Sequence, residues 1–166
     1  MHPILASLLS ATLTLASQAH AQPPAGTAPI PSLASAGLTP AFADQAYGNR
    51  SQAQKLDIYL PDGEHHNLPV VLFIHGGGFR FGDKTTVPAA YIKGFLNAGY
   101  AVASSNYRLS GEARFPAASQ DIGRAIEYLR ANARRYHINP DQLVLMGESA
   151  GANLAALAGT AADSKV

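Results

Sequence analysis

Two short stretches of this chain combine residue types that can do nucleophilic chemistry. The first is Gly147-Glu148-Ser149-Ala150-Gly151, one serine set between two glycines. A serine hydroxyl is a weak nucleophile until its oxygen stands clear of the backbone and a base can reach it. The G-x-S-x-G pattern answers the first need. A sharp turn from strand to helix lifts the serine Oγ above a sheet, and glycines on either side keep Cβ atoms out of that turn. A helix opening at Ala150 would also aim backbone N–H groups and the positive end of its dipole at a developing oxyanion. The second stretch is His75-Gly76-Gly77-Gly78. Three successive glycines leave backbone N–H groups open to the approach of a carbonyl oxygen. Alone, such a run is more often a plain connection. Joined to the serine turn, it becomes a candidate binding loop.

Both stretches require strands that end where they begin. Val70-Val71-Leu72-Phe73-Ile74 is a continuous apolar run, as expected of a strand buried on both faces of a parallel sheet, and it leads straight into His75. Leu143 to Met146 leads into Gly147 in the same way and predicts another buried strand, with a small-residue helix following from Ala150 to Thr160. Leu56, Ile58 and Leu60 alternate with Asp57 and Tyr59 before Pro61-Asp62-Gly63, which predicts a half-exposed strand ending in a turn. The spacing predicts a helix over Val87 to Asn97, closed by Gly99, and then a short strand over Tyr100 to Asn106. From Pro116 to Arg134, the residues Ala118, Ile122, Ala125, Ile126, Leu129 and Ala133 line one helical face. Asn139-Pro140-Asp141 predicts a break before the last strand. Strands alternating with helices give βαβ units: an α/β fold, with a mostly parallel sheet and helices on both faces.

Composition removes several alternatives. The chain has 166 residues, 12 Lys plus Arg against 11 Asp plus Glu, and no Cys, with 47% hydrophobic and 14% charged residues. That is too apolar for a disordered segment, and the near-neutral balance suggests neither nucleic acid nor an anionic membrane as partner. Zero Cys removes disulfides, thiolate metal sites and cysteine nucleophiles. No G-x-G-x-x-G and no Walker loop occurs, and no His and carboxylate residues stand at ligand spacing, so neither a cofactor nor a metal is expected. Ile4 to Ser17 is apolar or small and uncharged, and Ala19-His20-Ala21 follows as a cleavage pattern. Residues 1–21 are therefore expected to be a signal peptide and the protein to be exported, periplasmic or secreted. The apolar run is too short to span a membrane. Residues 22–41, rich in Pro and Ala, read as a linker, with the folded part over 42–166.

The motifs His75-Gly76-Gly77-Gly78-Phe79, Asn106-Tyr107-Arg108-Leu109, Phe115-Pro116 with Asp121, Asn139-Pro140-Asp141 and Gly147-Glu148-Ser149-Ala150-Gly151 follow one another in an order that resembles a known superfamily. They resemble the α/β-hydrolases of the hormone-sensitive-lipase and bacterial carboxylesterase or feruloyl-esterase type, over about Lys55 to Gly159. The resemblance implies Ser149 as the nucleophile and the N–H groups of Gly77, Gly78 and Ala150 as the oxyanion hole. A small-molecule ester would be the substrate, and the oligomeric state stays open. It implies scaffold roles for Tyr107, Arg108 and Asp121. His75 would brace the glycine loop. Ala152-Asn153 departs from the usual family pattern without disturbing the turn.

In that fold the catalytic acid and histidine follow the serine in the chain. No histidine follows Ser149, and the one acid that does is Asp163, set just past the helix. His2, His20, His65, His66, His75 and His137 all precede the turn. His65 and His66 read as solvated, and His137 falls before the last strand, far from the serine. Asp83 and Lys84 read as a surface turn. The sequence is thus expected to stop partway through its fold and to be inactive alone. A non-catalytic module of the same fold, or an arylformamidase or peptidase, are the alternatives.

Overall fold

The computed structural model describes residues 33–162. The expected signal peptide, residues 22–32 of the expected linker and Asp163 lie outside them. One five-stranded sheet carries the fold, built from β1 (Phe42–Ala46), β2 (Lys55–Tyr59), β3 (Leu68–Ile74), β4 (Ala101–Ser105) and β5 (Ile138–Gly147). The strand order is β1-β2-β4-β3-β5. β3 pairs in parallel with both β4 and β5, and β2 runs antiparallel to both β1 and β4. Every strand except β2 therefore points the same way, the mostly parallel sheet expected from the sequence.

Helices cover both faces. Val70, Leu72 and Ile74 of β3 pack with Ile122, Ala125 and Leu129 of α2 (Ala117–Ala131) and Leu154 of α3 (Ala150–Ala162). On the opposite face, Phe73 and Val102 pack with Tyr59 and with Ile92 of α1 (Ala89–Asn97). A strand flanked on both sides and covered on both faces must be apolar at every position, which is the pattern of β3. The α2 face read from the sequence is the buried one, and it also buries Asp121. Gly99 closes α1 with φ +80°, its N–H donating to Leu96 O at 3.0 Å.

Three expectations change. β2 is not half-exposed: it lies between β1 and β4, and Leu56 through Tyr59 are all buried. β5 is not buried: it is the last strand of the described sheet, and Val144 is 50% exposed. Asn139-Pro140-Asp141 does not break the chain before β5 but lies inside it, where the pairing slips between Leu68↔Ile138 and Val70↔Leu143. An irregularity in the ladder is where an edge strand accommodates proline. β1 had no sequence signal, and the packed chain begins ahead of residue 42. Leu33 and Leu38, tied by a 2.9 Å hydrogen bond from Leu38 N to Leu33 O, are buried against the face that holds Phe73.

Among the described residues no strand covers the outer edge of β5, and an apolar edge strand pairs readily with other chains. Self-association that rises with concentration is expected, with Val144→Lys shifting the sedimentation-velocity profile toward monomer. An unchanged profile would remove β5 as its cause.

Candidate active site

β5 ends at Gly147 and α3 begins at Ala150, so Glu148 and Ser149 form the whole turn. Ser149 is exposed and has φ +49°, a left-handed conformation that costs a side-chain-bearing residue about 1 kcal/mol or more. Three backbone hydrogen bonds hold it there: Glu148 N to Ile74 O at 3.3 Å, Gly151 N to Glu148 O at 2.8 Å and Asn153 N to Ser149 O at 3.1 Å. The flanking glycines are required by space. A Cβ on Gly147 would stand 2.4 Å from the carbonyl carbon and oxygen of Gly151, and one on Gly151 would stand 2.0 Å from Ile74 O.

The turn touches the glycine loop. A Cβ on Gly76 would lie 3.0 Å from Glu148 O and 3.5 Å from Ser149 Cβ. Gly77 (φ +110°) and Gly78 (φ +58°) hold conformations that glycine adopts freely, and Gly77 O accepts from Arg80 N and Phe81 N at 3.0 and 3.2 Å. No acceptor among the described residues takes the N–H of Gly77, Gly78 or Ala150. The loop that follows β3 and the turn that follows β5 therefore meet at one end of adjacent parallel strands. They bring together an exposed hydroxyl and free backbone donors.

His75 supports this loop. Its buried Nδ1 donates to Gly76 O at 2.7 Å, and its ring stacks on Tyr107 at 4.4 Å between centroids. The Tyr107 hydroxyl donates to His75 O at 3.1 Å. Burial lowers the His75 pKa and so favours the neutral ring, against the opposing pull of the Gly76 carbonyl and Asp83. A Cβ on Gly82 would strike that ring at 2.4 Å.

Behind Tyr107, the fully buried Asp121 accepts from Arg108 Nε and Nη2 at 2.8 Å each and from Arg108 N at 3.0 Å. Gln54 Nε2 donates to its Oδ1 at 2.7 Å, and Arg124 Nη1 reaches the same oxygen at 3.4 Å. Burial pushes the Asp121 carboxyl up, but these donors outweigh it and hold it below the usual carboxylate range. Lys84 is not on a surface turn. Its buried ammonium pairs with Asp57 at 2.7 Å and Asp44 at 3.2 Å, while its backbone N donates to Asn106 Oδ1 at 2.5 Å. Burial works to lower the Lys84 pKa, and the two carboxylates outweigh it to raise it. The segment after the glycine loop is thereby tied to β1, β2 and the end of β4.

Gln54 escaped sequence reading because it belongs to no motif, and the burial of Lys84 did so because its carboxylate partners lie on other strands. The available signal was Asp57, a charge on a strand flanked by buried residues, which must have a partner. His65, whose Nε2 lies 2.5 Å from Asp62 O, and the neighbouring His66 and His137 stand before the N-terminal ends of β3 and β5, away from Ser149. Beside the serine turn, Phe79, Phe115, Asn153, Leu154 and Leu157 line an open, mostly apolar cleft of about 220 Å³.

A strand-turn-helix serine, a glycine loop on the neighbouring strand and helices on both faces define the α/β-hydrolase fold, and the relatives agree. Residues 56–166 match the BD-FAE family model, and the chain belongs to that family. It is 33% identical over 100 residues to the carboxylesterase NlhH of Mycobacterium tuberculosis, covering 60% of this chain and 31% of that protein. Among solved structures, a truncated carbohydrate esterase from gut microbiota aligns with TM-score 0.67 and 35% identity, over 71% of this chain and 42% of that one. An esterase of Pyrobaculum calidifontis aligns with TM-score 0.63 and 32% identity, over 67% and 36%. The chain spans about a third of the length of the curated relatives it matches.

Proposed function

We propose that this chain carries the nucleophile and the oxyanion donors of a serine carboxylic-ester hydrolase. Ser149 Oγ attacks the ester carbonyl carbon and its proton passes to a base. The carbonyl oxygen becomes an oxyanion held by the N–H groups of Gly77, Gly78 and Ala150. Collapse of the tetrahedral intermediate expels the alcohol, and water releases the acid from the acyl-serine. The observation that carries this reading is Ser149 itself, exposed and left-handed between two glycines and in contact with the glycine loop. A binding module of the same fold has no use for that strained turn. The neighbour named a carbohydrate esterase makes acylated sugars the first substrates to test. The uncharged apolar run at the N-terminus supports export.

No histidine follows Ser149 within these residues, and loss of a triad member costs about 10⁴-fold in rate. The test therefore uses a fluorophosphonate probe with and without added imidazole as an external base. A single adduct mapped to Ser149, formed faster with imidazole and absent from Ser149→Ala, is the expected result. A folded protein that gains no adduct at Ser149 even with imidazole overturns the proposal.

A further inference from the structure

At the end of the sheet opposite Ser149, two histidines distant in sequence become neighbours. Leu68 N donates to His137 O at 2.9 Å, and Leu68 pairs with Ile138 as β3 and β5 begin. This pinning sets the His66 and His137 rings 5.8 Å apart between centroids, at 63° to one another. Both residues are exposed, and with Asn67, Arg134 and Pro140 they line an open cavity of about 400 Å³. Asn67 and His137 have φ of +60° and +57°, left-handed conformations that asparagine and histidine adopt more readily than most side-chain-bearing residues.

From this geometry we propose that His66 and His137 bind one divalent transition-metal ion of the zinc or nickel kind. An imidazole nitrogen binds zinc at about 2.0–2.1 Å, which puts each ring centroid about 3.2 Å from the ion. Two rings sharing one ion are then about 5.2 Å apart at the tetrahedral angle and about 6.4 Å apart if opposed. The observed 5.8 Å falls inside that interval, so the rings need only turn their nitrogens toward a common point. Imidazole is a preferred ligand for zinc and nickel. Water fills the remaining positions, since among the described residues no group of three or more His, Cys, Asp or Glu surrounds a common point. Arg134 lines the same cavity, and its positive charge opposes a cation there, so binding is weak. The two ligands lie on separate chain segments, so the ion staples the start of β3 to the start of β5. It takes no part in the chemistry at Ser149.

The test is titration of the full chain with zinc and then nickel at pH 7.5, followed by calorimetry and by the histidine ring signals in NMR. One equivalent is expected to bind, with the His66 and His137 signals moving together and the melting temperature rising, because an ion that prefers the folded state stabilises it. His66→Ala and His137→Ala should each weaken binding at least tenfold, and His65→Ala should leave it unchanged. The proposal is overturned if no saturable binding occurs at millimolar zinc. It is equally overturned if both alanine variants bind as the parent does, or if His65→Ala abolishes binding.

Discussion

Gly151→Ala is expected to destabilise the protein by about 4 kcal/mol or more, placing it among the most damaging single substitutions. The added Cβ would stand 2.0 Å from Ile74 O and 2.6 Å from His75 O. Both are backbone atoms at the end of β3, which is flanked by β4 and β5 and packed on both faces, so the clash has nowhere to relax. Moving α3 instead would pull Ser149 from the glycine loop. Gly159→Ala is the control. It lies in the same helix with nothing within 4 Å of its added Cβ, and alanine there gains about 0.5–1 kcal/mol of helix propensity. Urea denaturation followed by circular dichroism separates the two. Equal midpoints would contradict the close approach of α3 to β3.

Asp121→Ala is expected to cost about 3–5 kcal/mol, the cost of removing one partner from a buried ion pair. The Arg108 side chain is only 12% exposed and would lose its carboxylate. The pH dependence identifies the cause. Because the folded carboxyl titrates below its unfolded value, its contribution is full above about pH 4 and disappears as pH falls through the folded value. Asp121→Asn should therefore be least stable relative to the parent at neutral pH and approach it in acid. Asp83 shifts in the same direction: burial raises its carboxyl, but donors from Asn106 and Thr85 hold it below the usual range. Parallel stability curves for parent and Asp121→Asn between pH 3 and 7 would reject Asp121 as a linked group.

What the sequence revealed follows from how local each signal is. β3 and α2 were legible because their burial pattern is written in consecutive residues: an unbroken apolar run and one helical face. The serine turn and the glycine loop were legible as motifs, since each depends on glycines whose positions have a steric reason. β2 and β5 were recognised as strands, but their exposure was exchanged, because exposure depends on which strand lies alongside and alternation does not encode neighbours. β1, with the half-exposed sequence Phe42-Ala43-Asp44-Gln45-Ala46, has too little apolar periodicity to be recognised. Lys84 was assigned to the surface because the carboxylates that bury it, Asp57 and Asp44, come from other strands. His66 and His137 were separately unremarkable and become a pair only through the pairing of β3 with β5.

The strand order also has a consequence in time. β3 holds the longest apolar run of the sheet and lies between β4 and β5, yet both its partners come later in the chain, β4 from Ala101 and β5 from Ile138. During synthesis at about 5–20 residues per second, β3 leaves the ribosome seconds before β5 exists. The segment most apt to pair with another chain is therefore the one that waits longest for its own, and the nascent protein is most in need of a chaperone before the serine turn is made.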